Sequence, residues 1–189
     1  PPMSNRLAFL FTYIIALTAT LSACGGGGGG DEDFVGAATV SLSVQPSQID
    51  SGDRAQVTSR LGDVHETGIG VKFRHPTGLR YVPGSAFLKV NNKEYDITPA
   101  VNVESNEDDA RYLVFYLPQK IFQTGSQEYN GQQGTLTFQL VGRQEVEEGL
   151  VEVDPDVDDP AIDNSVEFDL ANPEFVAEHE APISVVVGK

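Results

Sequence analysis

An all-β antiparallel sandwich is the fold this sequence predicts. Apolar residues alternate at period two, turn signals interrupt them at short spacing, and no long helical pattern follows Gly30. Alternation of this kind buries one face of a strand and leaves the other in water.

The elements follow in chain order. Val40, Leu42 and Val44 predict a first strand, closed by Pro46-Ser47 and Ser51-Gly52-Asp53. Ala55, Val57 and Leu61 predict the next, and Ile69, Val71 and Phe73 another. In that strand Lys72 lies between two apolar residues, so alternation sends it outward. Pro83-Gly84-Ser85 marks a turn. Asn91-Asn92 tolerates positive φ, so Phe87–Val90 and Glu94–Ile97 are expected as a tight hairpin. After Ser105-Asn106-Glu107-Asp108-Asp109, another turn signal, Leu113, Phe115 and Leu117 alternate. Leu136, Phe138 and Leu140 do so after the glycine-rich stretch ending at Gly134, then Val166, Phe168 and Leu170, and last Val185 and Val187. The polar, acidic stretch from Glu145 to Asn164 is expected to be a long loop or irregular edge. No repeat of 20–50 residues is present, which makes this one module and not a solenoid.

Cys24 is the only cysteine, so no disulfide can staple the domain and apolar packing must hold it. It ends Leu21-Ser22-Ala23-Cys24. Before it, Leu7 to Leu21 is a charge-free run of 15 residues behind Arg6. A membrane-spanning helix needs about 20 apolar residues, so the run suits the core of a signal peptide. The Leu-x-small-Cys order resembles the lipobox of bacterial lipoproteins. That resemblance implies cleavage before Cys24, acylation of its thiol and amine, and attachment to a membrane through lipid. Gly25 follows, where aspartate would be the inner-membrane retention signal of enteric-type lipoproteins. The implied location is therefore the cell envelope, at the outer membrane where the host has two. Gly25–Gly30 form a flexible tether with a root-mean-square reach of about 13 Å. The expected organisation is a signal peptide over 1–23, lipidated cysteine and tether over 24–36, and the sandwich over 37–189.

Thr67-Gly68-Ile69-Gly70-Val71-Lys72-Phe73 leads into Pro76-Thr77-Gly78-Leu79-Arg80-Tyr81-Val82-Pro83-Gly84-Ser85. This order resembles the Ig-like repeat modules of bacterial surface proteins, with Gly134–Leu140 similar to their later strand. His75 stands where such modules usually carry leucine. Pro76 should close strand pairing, Gly78 should permit a turn, and Leu79 and Tyr81 should share a face. The resemblance implies an Ig-like sandwich acting as an extracytoplasmic spacer or interaction module. It brings no catalytic residue with it.

The formal charge is −16, and loss of the single positive charge of Arg6 makes the processed chain −17. Nucleic acid is not an expected partner, because phosphate binding needs clustered Lys and Arg. The charge also opposes adhesion to anionic headgroups, which leaves membrane attachment to the acyl chains. Asp154, Asp156, Asp158, Asp159 and Asp163 crowd ten residues. Hard oxygen ligands in this pattern suit weak Ca²⁺ binding, although Asp159 and Ser165 break the EF-hand template. A solvated acidic loop stiffened by Pro155 and Pro160 is the plainer expectation. His65, His75 and His179 share no metal-ligand spacing and are expected at surfaces or strand ends. No Gly-x-Ser-x-Gly elbow occurs. The expected role is non-enzymatic: display of one Ig-like domain for binding or structural spacing. The alternative is a carbohydrate-binding accessory domain or glycan-active enzyme, with Tyr81, Tyr112, Tyr116 and Tyr129 stacking on sugar. No protein or glycan partner is named by the sequence.

Overall fold

Strands and turns account for almost every described residue of the computed structural model, which covers 39–64, 68–105, 109–122, 132–156 and 175–188. The chain divides into two units, Pro1–Asp33 and Phe34–Lys189, and these residues all belong to the second. Twelve strands are described: β1 Thr39–Gln45, β2 Gln48–Asp50, β3 Arg54–Val64, β4 Gly68–Pro76, β5 Leu79–Tyr81, β6 Phe87–Val90, β7 Lys93–Asp96, β8 Val101–Glu104, β9 Ala110–Pro118, β10 Gln132–Gly142, β11 Val146–Asp156 and β12 His179–Val186. One helical turn, α1 Gln119–Phe122, follows β9. Among the described residues no helix is long and apolar enough to cross a membrane.

The strands form two six-stranded sheets. One runs β1-β3-β10-β6-β7, with β5 also on β10, and the other runs β2-β12-β11-β4-β9-β8. This is the expected all-β sandwich of two largely antiparallel sheets. Pairing is antiparallel except between β2 and β12, which run parallel. Pro46 has no N–H to continue the β1 ladder, so the chain leaves the first sheet there. Three residues later Ile49 lies opposite Val185 in the second sheet.

Alternation fills the space between the sheets. Val57 and Leu61 of β3, Leu88 and Val90 of β6, and Leu136, Phe138 and Leu140 of β10 face inward from one side. Ile69, Val71 and Phe73 of β4, Leu113, Phe115 and Leu117 of β9, and Ile183 and Val185 of β12 face inward from the other. The ring of Phe138 is central. Its centroid lies 4.9 Å from Phe73, 5.7 Å from Phe115 and 6.3 Å from Tyr81. Offset and edge-on contacts at these separations add about 0.5–1.5 kcal/mol per pair beyond burial.

The expected hairpin forms, with its second strand at Lys93–Asp96, one residue earlier than Glu94–Ile97; Val90 lies opposite Lys93, and Asn91 takes φ 55° at the turn. β4 ends at Pro76, and Leu79 and Tyr81 both face the core. Gly78 is needed for close approach and not for a positive φ. A Cβ there would sit 2.5 Å from Val146 Cγ2 and 3.1 Å from the Gln144 carbonyl. β12 stops at Val186, and Val187 is exposed instead of buried beside Val185.

The expected loop over 145–164 is corrected in its first half. Residues 146–156 are β11, a central strand between β12 and β4. Val151 and Val153 supply the inward positions, and Glu152 and Asp154 alternate with them on the other face of the sheet. Gly149 allows the irregular start of this strand, since a Cβ would meet Val146 Cγ1 at 2.6 Å and Pro76 Cγ at 2.8 Å. Val166, Phe168 and Leu170 lie outside the described residues.

Truncation of Phe73 or Phe138 to alanine should cost about 3–5 kcal/mol, with Phe138 at the upper end. Denaturant titration of the variants checks this. Parent-like midpoints would remove the central role of the aromatic junction.

Candidate functional site

Two polar constellations interrupt the apolar plan. The first lies on the outer face of the second sheet. Lys72 and Arg74 of β4, Tyr112 of β9, and Glu152 and Asp154 of β11 alternate with the core residues of these strands, and the register sets Arg74 opposite Glu152 and Lys72 opposite Asp154. Opposite charges directly across a strand pair attract. Arg74 Nε donates to Glu152 Oε2 at 2.6 Å and Nη2 donates to Oε1 at 2.8 Å, a bidentate pair. Lys72 Nζ lies 3.4 Å from Asp154 Oδ2, each side chain only 12% exposed. The Glu152 carboxylate, with the Tyr112 hydroxyl as a further partner, strengthens protonation of Arg74.

Residues 175–178 lie over this face. The Phe175 ring covers the Arg74 guanidinium at 5.0 Å and meets Tyr112 edge-on at 5.8 Å. Val176 N–H donates to Asp154 Oδ2 at 3.0 Å, and Glu178 N–H donates to the Val153 carbonyl at 2.9 Å. Asp154 thus spends its charge on a lysine and a backbone amide, and a cation there would compete with Lys72. Asp156 ends β11, while Asp158, Asp159 and Asp163 lie outside the described residues. Among the described residues no three His, Cys, Asp or Glu side chains cluster for a metal. The sequence signal for the pairs was available: two cations and two anions, each set spaced by two, within valine-alternating strands.

The second constellation closes one end of the sandwich. His75 occupies an inward position of β4, opposite Arg111 of β9, and is 1% exposed. The expectation of a surface or strand-end histidine is therefore half met: it is near the end of its strand but buried. His179 starts β12 exposed, and His65 lies outside the described residues. His75 Nδ1–H donates to the Pro76 carbonyl at 3.0 Å, while its Nε2 and Arg111 Nε have no hydrogen-bond partner among the described residues. Arg111 Nη1 donates to Glu104 Oε2 at 2.5 Å, and Arg80 Nη2 approaches the same oxygen at 3.4 Å. Thr77 donates its hydroxyl proton to Asp109 Oδ1 at 2.7 Å. Burial chiefly, and then the charges of Arg111 and Arg80, lower the His75 pKa from 6.5 to about 4.

Of the tyrosines proposed for a sugar platform, two are buried. Tyr81 is 8% exposed and Tyr112 is 1% exposed, so neither can present a ring face to a ligand. Tyr116 is half-buried on β9, and Tyr129 lies outside the described residues. Cys24 lies outside them too.

No protein-family model matches the sequence. No curated protein matches it either. Solved structures do. AvmM, which catalyses macrocyclisation in alchivemycin A biosynthesis, is 12% identical over 80% of this chain and 90% of its own, with a TM-score of 0.44. The T6 backbone pilin of serotype M6 Streptococcus pyogenes is 12% identical over 79% of this chain, with a TM-score of 0.43. The pilus backbone protein RrgB of Streptococcus pneumoniae is 9% identical over 63%, with a TM-score of 0.42. The match spans 36% of the first pilin and 31% of the second. At these identities and scores the likeness says nothing of ligand or activity.

The buried histidine makes the fold acid-sensitive. Its folded pKa of about 4 lies below the unfolded 6.5, so its contribution is complete above pH 6.5 and is lost as pH falls toward 4. Linkage puts the loss at about 2 kcal/mol by pH 5. His75→Leu should flatten that part of the profile, measured by denaturant titrations at pH 7.5 and pH 5. An unchanged slope would show that His75 is not the sensor.

Proposed function

We propose that this chain is a lipid-anchored protein of the bacterial cell envelope that displays one non-catalytic Ig-like sandwich for binding or structural spacing. The observation that carries the reading is the setting of Cys24: a charge-free apolar run ending Leu21-Ser22-Ala23, then six glycines. A thioether-linked diacylglycerol with an acylated amine supplies the two or more chains that stable anchoring requires. The glycine run lets the sandwich stand off the membrane and reorient on it. The interior supports the same reading, since its centre is given over to packing: Phe73, Phe115, Phe138 and their aliphatic neighbours fill it. Gly25, in place of an aspartate, favours the outer membrane of a two-membrane host.

Replacement of Cys24 by serine tests the anchor. The parent should partition into detergent and carry acyl mass on Cys24. The Cys24→Ser chain should remain unacylated and either uncleaved or released. Equal membrane association of the two, with no acyl mass on the parent, would sink the reading. Fractionation that places the parent with inner-membrane markers would overturn the outer-membrane part alone.

A further inference from the structure

The outer face of the first sheet differs in charge from the rest of the molecule. Outward positions on β1, β10 and β6, and on β3 from Arg54 to Arg60, include no Asp or Glu, in a chain whose net charge is −16; the one acid of β3, Asp63, lies in the irregular stretch at its far end. They carry instead Ser41, Ser43, Gln56, Thr58, Thr135 and Thr137, with Arg54, Arg60 and Lys89 among them. The register aligns these across strands. Ser41, Arg60, Thr135 and Lys89 form one row, and Ser43, Thr58, Thr137 and Phe87 form the next.

Arg60 and Lys89 are exposed, and neither side chain has an ion-pair or hydrogen-bond partner among the described residues. They flank Thr135, two strand spacings or roughly 9.5 Å apart. With Asn91, Gln133 and Thr135 they line a shallow cleft of about 450 Å³. Arg54 donates to Gln139 Oε1 at 3.1 Å, a neutral partner that leaves its charge uncompensated. The acids nearest the row are Glu94, opposite Lys89 on the edge strand β7, and Asp96, opposite Phe87. Glu94 forms no ion pair with Lys89. The face thus offers cations at intervals, hydroxyls and amides that both donate and accept, and one aromatic ring, Phe87, half-exposed beside them.

We propose that this face binds an acidic polysaccharide, its carboxylates on Arg60 and Lys89 and its hydroxyls on Thr135, Asn91 and Gln133. Charge complementarity selects the occupant. A polyanion is repelled by the strongly negative protein as a whole, and on this face unpaired cations stand beside a hydroxyl-rich row. A nucleic acid fits less well, because single strands need stacked aromatic platforms and this face has one ring. The proposal names the partner class of the displayed binding module above, and rests on that reading.

The detergent-solubilised full chain is titrated with polygalacturonate, with neutral dextran and with oligothymidylate, each at low and high salt. Saturable binding of polygalacturonate that weakens with salt is expected, without binding of the other two. Arg60→Ala with Lys89→Ala should lose at least tenfold in affinity while keeping the β circular dichroism spectrum. Glu94→Gln should gain several-fold, because a competing carboxylate next to Lys89 is removed. The proposal is overturned by no saturable binding of polygalacturonate, by equal affinity in the double variant, or by oligothymidylate binding as tightly. Binding that is lost in the double variant, together with shortening of the polymer, would support the proposal and overturn the non-catalytic reading instead.

Discussion

The contact of Phe138 with Phe73 and Phe115 joins the two sheets, and most of the structure depends on it. Phe138 comes from the first sheet and the other two from the second, so their 4.9 Å and 5.7 Å separations span the layer between sheets. With no disulfide available to the domain, this apolar layer is the main force that fixes one sheet on the other. Side chains of similar reach flank the junction. Leu88, Leu136 and Leu140 lie on one side and Ile69, Leu113 and Leu117 on the other, all nearly excluded from water. Interiors packed at this density tolerate little change in volume. Most inward positions along β3, β4, β9 and β10 are accordingly apolar, with Ser59 and His75 the buried polar exceptions.

Once that layer is dry, the polar groups have to be placed outside it, and the outer face of the second sheet shows how. β11 carries Glu152 and Asp154 and β4 carries Arg74 and Lys72, so a central strand pair presents four charges on its solvent side. Their pairing keeps an acidic segment on a central strand, and Phe175 and Val176 then draw the chain back across the pairs into β12. Breaking one partner of such a half-buried pair leaves the other poorly solvated, which costs more than the intact pair contributes.

Much of this was legible as pattern. Alternation located β1, β3, β4, β9 and β10, and Asn91-Asn92 located the hairpin. Legibility failed where composition and alternation disagreed. Residues 146–156 looked acidic as a whole, and their mean polarity hid Val151 and Val153, which alone decide the buried face. The charges that obscured the strand are those that pair across it. Gly78 read as a turn residue because sequence reports conformational freedom and not neighbours. The crowding that demands glycine there comes from Val146, remote in sequence. His75 was legible only as a departure from leucine. Its inward position follows from Phe73 and Val71, but the two arginines that lower its pKa come from β5 and β9, which sequence alone does not bring together. The parallel pairing of β2 escaped for a similar reason. Pro46 announces a break, not the sheet to which the chain goes next.

The two outer faces end in opposite electrostatic states, and that asymmetry bears on function. On the second sheet every cation named has a carboxylate beside it, and Phe175 shields Arg74, so little charge is left to present. On the first sheet no carboxylate stands at an outward position of β1, β6, β10 or of β3 from Arg54 to Arg60, and Arg60 and Lys89 are unpaired among the described residues. Folding alone gives no reason for that difference, since surface ion pairs contribute little and either sheet would be as stable with the acids distributed evenly. What unpaired cations on a flat, hydroxyl-lined surface do change is the local potential. In a protein otherwise strongly negative they create one region where an anionic ligand gains attraction and loses repulsion together.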